Sequence, residues 1–312
     1  MKNSGSKRER NSLIELYRFI FAIWVVFYHD YLIMPKSSLF NHGYLAVDFF
    51  FILTGFFLLG GMKIFFEMPF FKGFFKFSWK RILSLCPALL IGFVFSAIYF
   101  FTEPSWMILD IFGYLWYIPQ MFIGFTFVYV AKRLIKSEKA FTITCAAVCL
   151  VSFILLFTVC EGWGLFRALG GINLGILTNK IPKISFDGKK FNPNIIFTIL
   201  MIFLTVGLAA MPKSDTYVDF VMIVAIFPLL LCFTAQVNIK FKPFNFLGSL
   251  SFGLYAYQTI LRVLEHFGVV TYFGHLLLIL IIATMLDRIG VDIYKHFKNK
   301  RKAAKNALEG NI

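Results

Sequence analysis

LIELYRFIFAIWVVFYHDYLIM, residues 13–34, decides the fold. The stretch is about 20 residues of nearly unbroken apolar side chain, enough at 1.5 Å per residue to cross a hydrocarbon layer about 30 Å thick. A basic tail precedes it and no small-residue cleavage site follows it, so it reads as a retained transmembrane helix and not as a signal peptide. The rest of the chain repeats the pattern. Apolar segments recur at residues 45–66, 82–101, 114–131, 140–160, 163–178, 195–211, 219–237, 246–264 and 272–294, which makes about ten in all. The expected fold is therefore all-α, a polytopic transmembrane helical bundle.

Composition agrees with this reading. The chain is 59% hydrophobic and 15% charged, with a mean hydropathy of +0.77, against roughly 25% charged residues in a soluble domain. Cys86, Cys145, Cys149, Cys160 and Cys232 all lie in or beside apolar runs, where cysteine acts as a small packing residue. No metal site and no tightly bound cofactor are expected.

The net charge of +15 invites a nucleic-acid reading, but its placement along the chain opposes one. With ten spans and both termini cytoplasmic, 26 of the 31 basic residues fall on the inner side, and only Lys36 and Lys213 fall in outer loops. That asymmetry is the positive-inside pattern, which makes membrane lipids, and not nucleic acid, the partner of the charge. The longest expected loops, residues 67–81 and 179–194, leave no room for a second domain. The chain reads as one membrane domain, residues 1–312, with basic cytoplasmic tails at 1–12 and 295–312. The second tail is expected to be solvated and partly disordered.

The sixth segment, GLFRALGGINLGILT, is the weakest, since four glycines and Arg167 interrupt it. It must be either shielded by its neighbours or broken. A broken helix carrying a cation is a feature of transporters, so a transporter or flippase without acyl chemistry is the alternative function.

Ionisable groups within spans are candidates for function because burying them is costly. Arg18 and His29 are eleven residues apart, roughly 16 Å along the axis and about 20° around it. They share one side of the first helix, with the cation toward the inside and the imidazole, able to take a proton from a hydroxyl, toward the outside. Asp48, at the start of the second helix, is placed to orient His29 or to sit as a wet helix-start residue. In that helix Thr54 and Gly55 suit close helix packing. Lys80 and Arg81 lie at the inner mouth, where they can hold an anionic substrate or simply follow the positive-inside rule. Trp116 and Tyr117 suit either an aromatic belt or a sugar-stacking surface. Ser251, Tyr255, Gln258 and Arg262 form a polar stripe at helical spacing.

Taken together, the Arg-x10-His pair Arg18/His29, VDFFFILTGF, KRILSLCP, LWYI and LGSLSFGLY resemble acyltransferase family 3 of integral membrane proteins. They occur in the expected order from residue 12 to about 262. The resemblance implies a plasma-membrane, multi-pass acyltransferase. Such an enzyme passes an acyl group, usually acetyl, from cytoplasmic acyl-CoA as co-substrate to a hydroxyl of an extracytoplasmic cell-surface carbohydrate. It implies His29 as the catalytic residue with Asp48 beside it, Arg18, Lys80 and Arg81 on the donor side, and Trp116, Tyr117, Arg167, Ser251, Tyr255 and Gln258 lining the groove. The chain departs from the family pattern at three places: Ser84 replaces the second arginine of the basic segment, Thr54 replaces a serine, and Gln258 stands where a histidine is common. The departures at Ser84 and Gln258 raise a third possibility, a catalytically degenerate member.

Overall fold

The computed structural model describes residues 11–29, 41–102, 116–159, 163–182, 192–211, 216–237, 239–257 and 273–309. All regular structure among them is helical. In chain order the helices are α1 (Ser12–His29), α2 (Ala46–Phe66, entered through a 3-10 turn, Gly43–Leu45), α3 (Phe70–Thr102), α4 (Tyr117–Leu134) and α5 (Glu138–Thr158). After these come α6 (Gly164–Lys180), α7 (Asn194–Ala209), α8, α9 (Lys242–Ala256) and α10 (Phe273–Glu309). Helix α8 runs from Thr216–Val221 through a π turn, Met222–Ile226, into Phe227–Thr234. Its Pro228 has no N–H to give to an α-helical ladder, a common reason for such a turn. Among the described residues, each of the ten apolar segments overlaps one of these helices.

Four of the described helical stretches are both long and apolar enough to cross a membrane: Ser12–His29, Gly43–Phe66, Glu138–Thr158 and Tyr217–Thr234. Outward-facing side chains have the character that lipid requires. Along α7 Ile196, Phe197, Ile199, Leu200, Phe203 and Val206 are exposed, and along α5 Ile143, Leu150, Val151 and Ile154 are exposed, an arrangement water would penalise.

Two boundaries differ from the sequence reading. Residues 70–81, expected as loop, are the first three turns of α3, and residues 295–309, expected as a partly disordered tail, continue α10. Hydropathy windows find apolar spans; an amphipathic or charged extension of the same helix lies below their threshold.

The expected weak helix proves to be central. Helix α6 is unbroken and packs on α2, α4, α5 and α8, with Ala168, Gly170, Gly171, Ile172, Asn173, Gly175 and Ile176 buried. Its glycines serve contact. A Cβ on Gly175 would overlap the Ile52 carbonyl of α2, and one on Gly55 would overlap the Ile172 carbonyl of α6. The two backbones thus touch reciprocally, as small residues allow between membrane helices.

Two ends of the bundle are distinct. At one, Arg133 at the end of α4 donates to the Phe66 carbonyl and to that of Met68 (3.0 Å), while Lys132 and Lys180 meet Glu138 at the start of α5. The start of α1 belongs to this basic end. Asn11 Oδ1 caps it by accepting from the Leu13 N–H (3.0 Å), and Asn11 Nδ2 donates to the carbonyls of Thr234 (2.9 Å) and Val237 (2.8 Å). The Phe241 N–H donates to Ser12 Oγ (2.8 Å), so the link from α8 to α9 is fastened to α1. The opposite end gathers His29, Gly43, Trp116, Arg167 and Asp219.

Candidate active site

Between α1, α2, α3, α4 and α9 lies a cavity of about 740 Å³. Arg18 and Glu15 enter it from α1, Thr54 from α2, Arg81 and Ser84 from α3, Tyr117 from α4, and Ser251 and Tyr255 from α9. Asn11, Thr178, Asn179 and Gln236 also line it, and these place one end of it at the basic end of the bundle. Its other boundary, at Val47 and Phe50, is reached roughly 15 Å further along α2. The sequence-derived groups Arg18, Arg81, Tyr117, Ser251 and Tyr255 are therefore brought together.

The cations are held in different ways. Arg18 Nη1 donates to Glu15 Oε2 at 2.8 Å, and Glu15 is in turn pressed against Gly248 of α9, where a Cβ would overlap it. Arg81 has no carboxylate partner among the described residues; its guanidinium lies 5.4 Å from the Phe77 ring centroid and 5.7 Å from that of Phe125. Arg18, Arg81 and Tyr117 are close enough to interact electrostatically. Two guanidiniums facing one cavity, with Glu15 the one carboxylate among its described lining residues, leave a net positive interior suited to a phosphate or pyrophosphate group. Ser84, in place of an arginine, returns its hydroxyl to the Arg81 carbonyl (2.8 Å) and takes no charge into the cavity.

Aromatic and hydroxyl groups form the far wall. The Tyr117 ring packs 4.5 Å from Phe51 and 5.8 Å from Tyr255, and its hydroxyl meets Thr54. Tyr117 thus faces the interior as part of the cavity wall. Ser251 bonds back to the Gly248 carbonyl (2.8 Å). Lys80 does not join this group: it is exposed, with its ammonium 5.8 Å from the Phe65 ring. The step of 100° from Arg81 turns it out of the cavity.

Asp48 also has a different setting from the one expected. It is fully buried, and its two carboxylate oxygens accept from Arg167, Nε at 3.0 Å and Nη2 closer still. The pair joins α2 to α6 and leaves Asp48 engaged there instead of turned toward His29. Arg167 Nη2 donates as well to the Tyr44 carbonyl (2.8 Å), and the guanidinium sits 5.5 Å from the Trp116 ring. Trp116 is accordingly a cover over this ion pair, in contact also with Gly164.

Around the pair lie three residues that sequence reasoning passed over. The Tyr44 hydroxyl donates to Asp219 Oδ2, His42 Nδ1 is 3.0 Å from Asp219 Oδ1, and His42 Nε2 is 3.2 Å from the Met211 carbonyl. His42 is completely buried. Their only signal in the sequence was polarity at the edge of apolar runs. His29 ends α1 at the border of this cluster. Its ring is 5.2 Å from Tyr28, whose ring is 5.3 Å from Tyr44, and Gly43 lets the chain press against Trp24 and Tyr28. The Arg18 cavity and the His29 border thus occupy opposite ends of one helix. Gln258, Arg262 and residues 1–10 lie outside the described residues.

No curated protein and no solved structure matches the chain. A family model described as an acyltransferase domain matches residues 11–286. The matched region contains the whole cavity, the Asp48–Arg167 pair and both ends of α1, and the chain accordingly belongs to acyltransferase family 3.

Proposed function

We propose that the chain is a plasma-membrane O-acyltransferase of about ten spans with both termini cytoplasmic. It would take an acyl group, acetyl in the first instance, from cytoplasmic acyl-CoA and pass it to a hydroxyl of an extracytoplasmic cell-surface carbohydrate. The observation that carries this reading is the cavity in which Arg81, with no carboxylate partner among the described residues, lies beside Arg18 and which reaches the end of the bundle where the basic residues gather. An anionic donor entering there meets two guanidiniums, and an extended arm attached to its thioester suits the roughly 16 Å from Arg18 to His29.

In this mechanism His29 removes the proton of the acceptor hydroxyl as its oxygen attacks the thioester carbonyl. The tetrahedral adduct then expels the CoA thiolate, which takes up a proton. Alternatively the imidazole attacks first and carries the acyl group to the acceptor as an acyl-imidazole. Arg18 and Arg81 hold the donor, while Tyr117, Ser251 and Tyr255 line its path. Asp48 and Arg167 serve as a positioning pair beneath the acceptor end. The transporter alternative rested on a broken sixth helix, and α6 is continuous with Arg167 neutralised.

The test is acetyl transfer from labelled acetyl-CoA by purified protein, joined to mass spectrometry of surface glycans from cells with and without the gene. His29→Ala should abolish transfer while keeping its melting profile, and Arg81→Gln should raise KM for the donor about tenfold or more, as loss of a charged hydrogen bond does. Full transfer by a well-folded His29→Ala protein would refute the mechanism.

A further inference from the structure

Helix α3 is too long for the layer it is to cross. Its 33 residues extend about 50 Å, against roughly 30 Å of hydrocarbon. Tilting accommodates such a surplus and keeps the first three turns of the helix, residues 70–81 and roughly 18 Å long, against the membrane surface.

Those turns have two unlike sides. Phe70 and Phe74 pack on Tyr129, Phe77 packs on Phe65 and Phe125, and Gly73 abuts the Phe65 carbonyl and the Tyr129 hydroxyl. The opposite side carries two parallel rows at four-residue spacing. One row is Phe71, Phe75 and Trp79, which are 72%, 65% and 62% exposed. The other is Lys72, Lys76 and Lys80, all exposed. Four-residue steps advance about 40° around the axis, so each row drifts by about 80° over its three residues and the two wind side by side, bringing Lys80 round to the Phe65 ring.

Neither row is accounted for by the cavity, which receives only Arg81, Ser84 and Leu85 from this helix. Exposed aromatics beside lysines are the chemistry of a bilayer interface, with rings at the acyl boundary and ammoniums at phosphate level. We propose that this face of α3 is a docking site for anionic phospholipid headgroups, with Lys72, Lys76 and Lys80 on the phosphates and Phe71, Phe75 and Trp79 in the acyl boundary beside them. The occupant is the bilayer's own anionic lipid. Charge complementarity selects it over zwitterionic lipid, and the rings select a membrane over a soluble phosphate. Because Arg81 follows Lys80 directly, lipid held on the outside of α3 also steadies the wall of the cavity. The proposal rests on the chain's being a membrane protein and not on the acyl-transfer reading.

The experiment reconstitutes the full chain at low ionic strength with dibrominated phosphatidylglycerol or dibrominated phosphatidylcholine at equal mole fraction and measures quenching of tryptophan fluorescence. Phosphatidylglycerol should quench more, and the excess should vanish in Trp79→Phe. Each lysine contributes about fivefold to the preference for anionic lipid, so Lys72→Gln with Lys76→Gln should lower it by about 25-fold, and salt added to the wild type should lower it as well. The charge-keeping pair Lys72→Arg and Lys76→Arg should retain it. Equal quenching by the two lipids, or an excess indifferent to both the lysines and salt, would overturn the proposal. Displacement of the lipid by acyl-CoA or by inorganic phosphate would also overturn it by assigning the rows to a soluble anion. None of these readouts involves acyl transfer, so an inactive protein with the lipid preference intact would refute only the enzymatic reading.

Discussion

Replacing Arg167 by methionine leaves the Asp48 carboxylate without the donor that both of its oxygens now use. The Asp48 side chain is 1% exposed and that of Arg167 11%, so water does not fill the gap. Breaking such a pair from one side costs about 3–5 kcal/mol, since a buried charge is stranded, and the Tyr44 carbonyl loses its donor as well. At about 2–4 °C per kcal/mol, the melting temperature in detergent should fall by on the order of 10 °C. Asp48→Asn strands the guanidinium instead and should fall by a similar amount. Removing both charges, Asp48→Leu with Arg167→Met, should recover much of the loss, because an apolar replacement of a buried pair is often neutral. The cycle should thus yield a coupling at or above about 2 kcal/mol. Single variants within about 0.5 kcal/mol of the wild type, or a double variant equal to the sum of the singles, would refute the reasoning. Either result would mean that the pair is solvated and does not tie α2 to α6.

Two further substitutions probe the packing. Gly175→Ala should cost about 1–3 kcal/mol or more, as overpacking does, because its Cβ meets the Ile52 backbone; Gly207→Ala, with nothing near its Cβ, should leave the melting temperature unchanged or slightly higher. Asn11→Ala removes the α1 cap and two bonds to the end of α8 and should cost about 2–3 kcal/mol. Asn11→Asp, which keeps the cap but not the donors, should fall between the two in the same thermal assay.

Each of the ten apolar runs overlaps a helix among the described residues, since a sustained apolar run is legible without any tertiary information. Arg81, expected at the end of a loop, and Tyr117 were given to the groove only by the family resemblance, whereas the inward turn of Arg18 and Tyr255 was legible because polar residues in apolar helices must face inward. The partner of Asp48 was not. Arg167 lies 119 residues away, and nothing local in either segment encodes their meeting. His42, Tyr44 and Asp219 escaped notice for the same reason: each is an ordinary polar residue at a helix edge until the fold brings the three together. The extension of α3 was visible as spacing, with lysines at every fourth position from Lys72 to Lys80, but that period is invisible to an averaged hydropathy.

The reciprocal backbone contact of α2 and α6 limits how the molecule can move. Helices separated by long side chains can slide, since rotamers absorb a small shear. Here each glycine sits opposite a carbonyl of its neighbour, and a shift of one residue would bring a side chain against that carbonyl on both sides at once. The pair therefore acts as a fixed axle. On the proposed mechanism, any alternation between admitting a donor at one end and an acceptor at the other falls to the helices arranged around it, foremost α1, which carries Arg18 in one half and His29 at the opposite end.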